Sequence, residues 1–231
     1  ADPGEEPHVA AVREVLFGKG GVAEGGKAGK LLVDHSSLEP TATRDMAAEL
    51  EFRCGMRWVD APVSGGTAGA EAGTLAIMAG GDTAVVEALV PLFAPLGRPT
   101  HVGPVGSGQL ANQLIVASSI CAVAEALLLA ERGGADPARV REALLGGFAD
   151  SAVLRQHGLR MVERDFKPGG PAKHQIKDTG TALGLARAQE LRLPIAEEVD
   201  RLFRSLVEHG GGELDHSAII VELRRLNALE H

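Results

Sequence analysis

The feature that most limits the fold of this chain is a change in its hydrophobic pattern near residues 103–108. Before that point, short apolar runs alternate with stretches whose apolar residues recur at helical spacing, which is typical of strands and helices in turn. Beyond it there is no convincing strand, only segments of helical spacing or length. The sequence therefore predicts an α/β segment followed by an all-α segment, with the boundary between them at these glycine-rich residues.

The first segment is predicted to contain four strands and three helices. The strands are predicted over residues 30–34, 56–60, 75–79 and 100–102, and the helices over residues 9–17, 41–53 and 83–93. The run 30–34 (KLLVD) has the pattern of a buried parallel strand. Thr41 or Thr43 is expected to be the N-cap of the helix that follows it.

The second segment is predicted to be organised on a long helix over residues 110–132. Because this helix is largely apolar, we expect it to be buried on most faces, although no apolar run approaches the length of a membrane span. Further helices are predicted over residues 137–145, 152–162, 176–189, 195–208 and 217–226, with Asp136 and Asp215 as caps. Residues 229–231 are interpreted as the remnant of a cloning tag.

Composition excludes several classes of function. The net charge of −8 argues against binding nucleic acid through its phosphates, and an aromatic content of 3% with no Tyr provides no platform for stacking bases. Two cysteines and eight histidines without metal-ligand spacing predict no metal site and no disulfide framework. No signal peptide opens the chain, so a reduced cytoplasmic protein without a membrane or nucleic-acid partner is expected.

The stretch 60–75 (DAPVSGGTAGAEAGTL) carries four glycines between two predicted strands. The prediction is strand, glycine loop, strand. A Ser-Gly-Gly turn can let a substrate carboxylate approach the backbone closely, because glycine has no Cβ and its N–H groups can converge on an anion. An ordinary glycine-rich hairpin or crossover remains the alternative.

Two predicted strands end in loops that carry hydroxyl groups. In open α/β sheets, ligands bind outside the carboxyl ends of the strands. This favours Ser36, Ser37 and Ser64 as functional residues over ordinary surface serines. The glycines of residues 103–108 resemble the glycine-rich fingerprint of a dinucleotide site. However, they precede an apolar helix, and no strand that ends in an acidic residue follows it, so we reject them as such a site.

Four polar side chains stand out in the helical segment. Asn112 and Gln113 lie near the start of the long apolar helix, and Lys177 and Asp178 lie early in the helix predicted from residue 176. Each pair also has an ordinary interpretation, since a buried amide is normally just hydrogen-bonded and a Lys-Asp pair often marks a solvated helix start.

Together these motifs resemble the β-hydroxyacid dehydrogenases, a family that includes the 3-hydroxyisobutyrate dehydrogenases. The motifs that carry the resemblance are residues 60–66 with 73–75, 34–40 (DHSSLEP), 110–113 (LANQ) and 177–178 (KD). Residues 146–149, 157–158 and 214–217 look most like the tartronate semialdehyde reductase branch of that family. The resemblance covers essentially the whole chain up to residue 228.

The resemblance implies the second half of a Rossmann-type NAD(P)-binding domain over residues 1–105 and a helical dehydrogenase domain over residues 106–228. It implies NAD(P)-dependent interconversion of a short β-hydroxy acid and its semialdehyde, most similar to the reduction of tartronate semialdehyde to glycerate. It also implies a homo-oligomer, because the family associates through its helical domain. The choice between NAD and NADP stays open, since the residues that decide it are not in this sequence.

The resemblance also assigns roles to seven residues. Those expected to hold the substrate carboxylate are Ser64, Gly65 and Gly66; the one expected to contact the substrate at the catalytic position is Asn112; those expected on the cofactor side are Ser37, Lys177 and Asp178.

Two departures from the family pattern leave an alternative open. The sequence lacks the Gly-x-Gly-x-x-Gly turn, and the family spacing leaves three residues, among them the lysine that acts as catalytic acid, unaccounted for between Gln109 and Leu110. Gln109 stands three positions before Asn112, where the family has its catalytic lysine. An amide is not a useful proton donor at neutral pH, so Gln109 cannot replace that lysine.

One explanation of both departures is that these are the ordered residues of a longer protein, joined and renumbered. It predicts a Cα separation across Gln109–Leu110 well above the ~3.8 Å of a trans peptide. The other explanation is a catalytically inactive dehydrogenase-like module used for oligomerisation or partner binding.

Overall fold

A computed structural model describes residues 7–107 and 110–229 of the chain. The chain divides into two compact units, Ala1–Gln109 and Leu110–His231. The domain limits expected from the sequence stay predictions. The junction between Gln109 and Leu110 lies outside the described residues, as do Glu230 and His231 of the expected tag remnant, so the predicted Cα separation stays a prediction too.

The first unit has the α/β organisation that the sequence predicts. Its helices are α1 (Pro7–Phe17), α2 (Pro40–Cys54), α3 (Gly66–Ala72) and α4 (Thr83–Phe93), and its strands are β1 (Leu31–Asp34), β2 (Arg57–Asp60), β3 (Val63–Ser64), β4 (Leu75–Gly80) and β5 (Gly97–Gly103). A 3-10 turn, Val22–Gly25, lies in the glycine-rich connection before β1.

The five strands form one mixed sheet in the order β1-β2-β4-β3, with β5 paired to β4. The β1–β2 and β4–β5 pairs are parallel and the other two pairs are antiparallel. Successive residues of a strand face opposite sides of a sheet, and accordingly Trp58 packs in a core with α1 and α2, whereas Val59 packs in a core with α4. Helical layers therefore cover both faces of β2.

Strand β1 lies at one end of the sheet formed by the described residues, and all four of its residues are only half-buried. The prediction of a buried strand at residues 30–34 is therefore wrong for this chain. The apolar run KLLVD has a paired strand on one side only, so the burial typical of a central parallel strand is not reached.

Helix α2 begins one residue earlier than predicted and has a different cap. Glu39 is the N-cap and its carboxylate accepts a hydrogen bond from the backbone N–H of Ala42 at 2.7 Å. Pro40 takes the first helical position, where its missing N–H costs nothing. The prediction of Thr41 or Thr43 as the N-cap is wrong, because Thr43 lies inside the helix and donates its hydroxyl to the carbonyl of Glu39.

The glycine loop predicted within residues 60–75 is in part a short helix, so the strand, loop, strand prediction is wrong there. Gly65 (φ 139°) ends β3 and caps α3, and Gly73 (φ 63°) ends α3 in the left-handed region. Ala68, Ala70 and Ala72 between them are strong helix formers. The glycines thus mark the two ends of a helix.

The second unit is helical, as predicted. Its helices are α5 (Leu110–Arg132), α6 (Pro137–Leu144), α7 (Ala152–Glu163), α8 (Ala172–Ala188), α9 (Pro194–Leu206) and α10 (Ile219–Leu226), with a π turn at Val207–Gly211 and a 3-10 turn at His216–Ala218. Asp136 and Asp215 are confirmed as caps, of α6 and of the 3-10 turn respectively. Helix α8 begins four residues before the predicted start, so Lys177 and Asp178 lie in its second turn.

Helix α5 is less buried than its composition suggests. It contributes Ala117, Ile120, Ala124 and Leu127 to the core of the unit, but Ile115 and Leu129 are 67% and 75% exposed. The prediction of burial on most faces is therefore wrong, because only a third of the most apolar 18-residue window of α5 is buried.

An 18-residue window within Ala111–Arg132 has a mean hydropathy of 2.0, so by length and composition α5 could cross a membrane. The expectation that no run approaches this length is wrong. The central helix of a soluble protein meets the same criterion, and α5 has the core contacts of such a helix.

Candidate active site

The loops after β1 and β2 leave the sheet side by side. The two strands are parallel and in register, with Leu31 opposite Arg57 and Asp34 opposite Asp60. The loop with Ser36 and Ser37 and the loop that leads to Ser64 therefore start at the same edge. This is the carboxyl edge, where ligands bind in open α/β sheets.

Two hydrogen bonds tie these loops together. The backbone N–H of Ala61 donates to the carbonyl of Asp34 at 2.7 Å, and Nδ1 of His35 lies 2.5 Å from the carbonyl oxygen of Ala61. The His35 ring also meets Phe93 edge-on, with centroids 6.2 Å apart. His35 therefore fixes the start of the Ser64 loop, a role that we did not predict from the sequence.

The Ser64-Gly65-Gly66 segment turns from β3 into α3. Ser64 pairs with Ala76 of β4, while Gly65 and Gly66 have φ values of 139° and 62° and are exposed. A Cβ on Gly65 would lie 3.1 Å from the Leu75 side chain, whereas one on Gly66 would meet nothing within 4 Å. The glycines thus leave backbone N–H groups open to a ligand, which is the property needed to hold a carboxylate.

Asp60, which begins this stretch, supports its surroundings. It is 1% exposed, and its Oδ1 accepts a hydrogen bond from the backbone N–H of Gly106 at 2.7 Å. A Cβ on Gly80 would collide with the same oxygen. Asp60 thus joins the end of β2 to the segment that follows β5.

In the loop after β1, the carboxylate of Asp34 accepts a hydrogen bond from the N–H of Ser36 through Oδ1, at 2.9 Å. Its other oxygen, Oδ2, is buried without a hydrogen-bond partner in the described part of the chain. Ser36 is half-buried and Ser37 is exposed. Of the two hydroxyls, that of Ser37 is thus the more accessible to a ligand.

In the helical unit, three side chains form a hydrogen-bonded chain between α5 and α8. Nδ2 of Asn112 donates to Oε1 of Gln113 at 2.8 Å, and Nε2 of Gln113 donates to Oδ2 of Asp178 at 2.5 Å. All three are partly buried, as is Lys177 beside them. The structure thus brings the predicted residues Asn112 and Asp178 together through Gln113, whose linking role the sequence did not indicate.

A buried polar cluster holds the segment that leads into α8. The carboxylate of Asp215 accepts hydrogen bonds from the hydroxyl and N–H of Ser217 at 2.6 and 3.0 Å and from the N–H of Gly169 at 3.0 Å, and it pairs with Arg160 at 3.2 Å. Burial raises the pKa of Asp215, but these contacts outweigh it and the net effect lowers the pKa. Asp215 is therefore a fixed anion that orders the chain before α8.

Two histidines adjoin this cluster. The rings of His157 and His216 stack with centroids 6.2 Å apart and an angle of 6° between them. Burial, the largest effect, lowers the pKa of both rings, although Asp215 opposes it. Both rings are thus more easily kept neutral than an exposed histidine. Both residues are half-buried, and the His216 ring meets the core residue Phe203 edge-on.

A metal centre finds no support in the described residues. Within them, no group of three or more His, Cys, Asp or Glu side chains is placed to hold a metal ion. Cys54 and Cys121 are free thiols. Burial is the main cause that raises the pKa of Cys121 to about 12, so this thiol stays protonated at neutral pH.

Two family profiles together match nearly the whole chain. The one described as the NAD binding domain of 6-phosphogluconate dehydrogenase matches residues 7–106. The one described as NAD-binding of NADP-dependent 3-hydroxyisobutyrate dehydrogenase matches residues 106–223.

Individual proteins that are similar to this chain are also dehydrogenases and reductases. The chain is 48% identical to 2-hydroxy-3-oxopropionate reductase of Escherichia coli K12, over 94% of this chain and 75% of that protein. It is 35% identical to 2-(hydroxymethyl)glutarate dehydrogenase of Eubacterium barkeri, over 93% of this chain and 72% of that protein. The crystal structure of a 3-hydroxyisobutyrate dehydrogenase from Salmonella typhimurium matches with a TM-score of 0.83 and 29% identity, over 92% of this chain and 75% of that one.

These relatives are dehydrogenases and reductases, and none supports the alternative of an inactive module. They agree with the Rossmann-like α/β unit and the helical unit, and with the motifs that each unit carries. The chain therefore belongs to the 3-hydroxyisobutyrate dehydrogenase-like family of NAD(P)-dependent β-hydroxyacid dehydrogenases.

Proposed function

We propose that this chain serves the NAD(P)-dependent reduction of tartronate semialdehyde to glycerate. The observation that carries the proposal is the Ser64-Gly65-Gly66 turn at the carboxyl edge of the sheet, where positive φ values leave backbone N–H groups open to a carboxylate. The choice of this acid rests on the 48% identity to a relative named 2-hydroxy-3-oxopropionate reductase, which is tartronate semialdehyde reductase under another name.

In this proposal the two units supply different functions. Ser64, Gly65 and Gly66 bind the substrate carboxylate, and Asn112 contacts the substrate near the reacting carbonyl. Binding the carboxylate and a second polar group fixes the orientation of a small substrate, which is the main contribution a protein makes when a cofactor carries the chemistry.

A bound NADH or NADPH would supply the hydride. The residues present fit the nicotinamide end of such a cofactor, since the hydroxyl of Ser37 and the ammonium of Lys177 can hydrogen-bond a carboxamide or a ribose, and Asp178 stands beside Lys177. The pyrophosphate has no corresponding Gly-x-Gly-x-x-Gly turn in this sequence.

Reduction of the carbonyl also needs a group that donates a proton to the substrate oxygen. Asn112 is the assigned residue at the catalytic position, but an amide does not donate a proton at neutral pH. We therefore assign the acid step to the lysine that the family spacing expects just before Leu110, and the substrate contact to Asn112.

We propose further that the protein is cytoplasmic, acts without nucleic acid or membrane, and associates with copies of itself. The net charge of −8 supports the absence of a nucleic-acid partner. Ile115 and Leu129, exposed on the apolar helix α5, support self-association. Leu129→Lys should then lower the molar mass measured by light scattering after gel filtration, whereas an unchanged mass would exclude this face.

The test is turnover of tartronate semialdehyde with NADH or NADPH by the protein as its gene encodes it, including any residues before Ala1 or between Gln109 and Leu110. Glycerate formation with a kcat/KM well above that for methylmalonate and succinate semialdehydes supports the proposal. If a protein that contains the lysine turns over none of the three, the reductase proposal fails and an inactive module remains.

A further inference from the structure

The hydrogen-bonded chain Asn112–Gln113–Asp178 links residues that are adjacent on α5 to one on α8 that is 65 positions from Gln113. The Asn112–Gln113 distance of 2.8 Å is that of an ordinary N–H···O hydrogen bond, and the Gln113–Asp178 distance of 2.5 Å is shorter than the usual range. The chain has two amides, each of which could in principle face either way, and one carboxylate at its end.

The carboxylate decides the direction of the whole chain. An ionised carboxylate only accepts hydrogen bonds, so Gln113 must turn its NH₂ group towards Asp178. Its carbonyl oxygen then faces Asn112, which must turn its own NH₂ group towards Gln113. Amide orientations are inferred from such networks, and here a charge-assisted bond, roughly twice as strong as a neutral one, fixes both at once.

The direction of the chain leaves the carbonyl oxygen of Asn112 as an acceptor. Of the residues that the structure describes, none donates a hydrogen bond to this Oδ1. A carbonyl oxygen of this kind can accept from a hydroxyl group but has nothing to offer an alkyl group or a second acceptor.

We propose that Asp178 acts through Gln113 to hold Asn112 with Oδ1 available, and that this oxygen accepts a hydrogen bond from a hydroxyl of the bound acid. Asp178 is then a positioning residue, and Asn112 determines that the substrate must carry a hydroxyl group. The inference rests on the proposed function, since it concerns the same small carboxylic acid, and it gives Asp178 a role other than cofactor contact.

This arrangement predicts selectivity between acids of similar size. A site built to hydrogen-bond a hydroxyl discriminates strongly against the analogue that lacks it, because the polar group of the site is left unpaired. Glycerate should therefore bind better than propionate. Lactate and 3-hydroxypropionate, which each keep one hydroxyl, identify whether the C2 or the C3 hydroxyl makes the contact.

The experiment measures the dissociation constants of these four acids by isothermal titration calorimetry, on the whole protein and on Asp178→Asn. We expect wild type to bind glycerate at least about tenfold more tightly than propionate, since one hydrogen bond of 1.4 kcal/mol gives a factor of ten. In Asp178→Asn the end of the chain can donate or accept, so both amide directions are populated. The preference for glycerate should fall several-fold, with propionate binding unchanged within about twofold.

A double variant provides the matched control. Gln113→Glu combined with Asp178→Asn keeps the net charge and moves the carboxylate to position 113, where it accepts from Asn112 on one side and from the new amide on the other. Asn112 then points as in wild type, and the preference for glycerate should return. Loss of a merely structural contact would not be repaired in this way.

Three results from Asp178→Asn and the double variant would overturn the inference. They are equal weakening of all four acids by Asp178→Asn, an unchanged preference in that variant, and failure of the double variant to restore the preference. If Asp178→Asn does not fold by circular dichroism, Gln113→Met, which lacks an amide, must lose the preference instead. A wild-type protein that binds none of the acids contradicts the proposed function, whereas equal binding of glycerate and propionate contradicts only the hydroxyl contact.

Discussion

The proposed carboxylate turn of the α/β unit offers backbone groups, whereas the proposed site residues of the helical unit offer side-chain groups. The turn at Ser64-Gly65-Gly66 depends on glycine φ values of 139° and 62°, and His35 steadies it through a backbone carbonyl. In the helical unit, Asn112 is oriented by a side-chain amide and a carboxylate. A backbone site is sensitive to substitutions that alter chain conformation, and a side-chain site is sensitive to the loss of single polar groups.

The largest effect is expected from Gly65→Val. A β-branched residue at φ 139° costs about 1–3 kcal/mol of backbone strain, and its Cβ would press on Leu75. We expect glycerate to bind about 10–100-fold more weakly, measured by calorimetry.

Gly20→Asn is the control for that experiment, because Gly20 lies outside the proposed site, nothing lies within 4 Å of an added Cβ there, and asparagine tolerates its φ of 76°. It should bind glycerate within a few-fold of wild type. Wild-type affinity in Gly65→Val would show that the backbone at this turn does not hold the carboxylate.

Next in size is the loss of the Asp215 carboxylate. Asp215→Ala leaves the N–H groups of Gly169 and Ser217 without their acceptor and should lower the free energy of unfolding by about 1–3 kcal/mol. Urea unfolding measures it, with Glu213→Ala as the control, because Glu213 is exposed and its ion pair with Lys173 lies at the surface. Equal stability of the two variants would contradict the supporting role of Asp215.

The helical unit should also lose stability as the pH falls below about 6.5. Burial lowers the folded-state pKa of His157 and His216 below that ordinary value, so the unfolded chain binds more protons in this range and stability rises with pH. The folded-state pKa of Asp215 is also lowered, from its ordinary value of 3.8. The ionised carboxylate therefore stabilises the folded chain above about pH 3.8, and this stability is lost as the pH falls through the folded-state pKa. Urea unfolding at pH 7.5 and 5.5 tests the first step, and His157→Phe should reduce the difference.

The smallest effect is expected at His35. His35→Phe keeps an aromatic ring near Phe93 but removes the donor to Ala61, at a cost of about 1 kcal/mol. His35→Asn retains an N–H close to the position of Nδ1. The Phe variant should raise the KM for the semialdehyde a few-fold with little change in kcat, and the Asn variant should restore it. A change in kcat alone would contradict a role in placing the carboxylate turn.

The order of elements and the family could be read from the sequence, because both depend on local pattern. Strand β2, helix α4 and helix α5 lie within a residue of their predicted bounds, since apolar spacing reflects which face of each element is buried. Capping was predicted for Asp136 but not for Glu39, where a proline at the first helical position changed the expected start of the helix. The motif at residues 60–66 was specific enough to indicate the family.

Tertiary structure alone decided how the polar residues are used. The link from Asn112 to Asp178 depends on the packing of α5 against α8, and no spacing in the sequence predicts a partner 65 positions from Gln113. The half-burial of β1 depends likewise on which strand lies beside it. Periodicity reports the local geometry of the backbone, whereas hydrogen-bond partners and burial are set by residues distant in sequence. The sequence by itself therefore determined the elements and the family of this protein, and the tertiary structure determined the direction in which Asn112 faces.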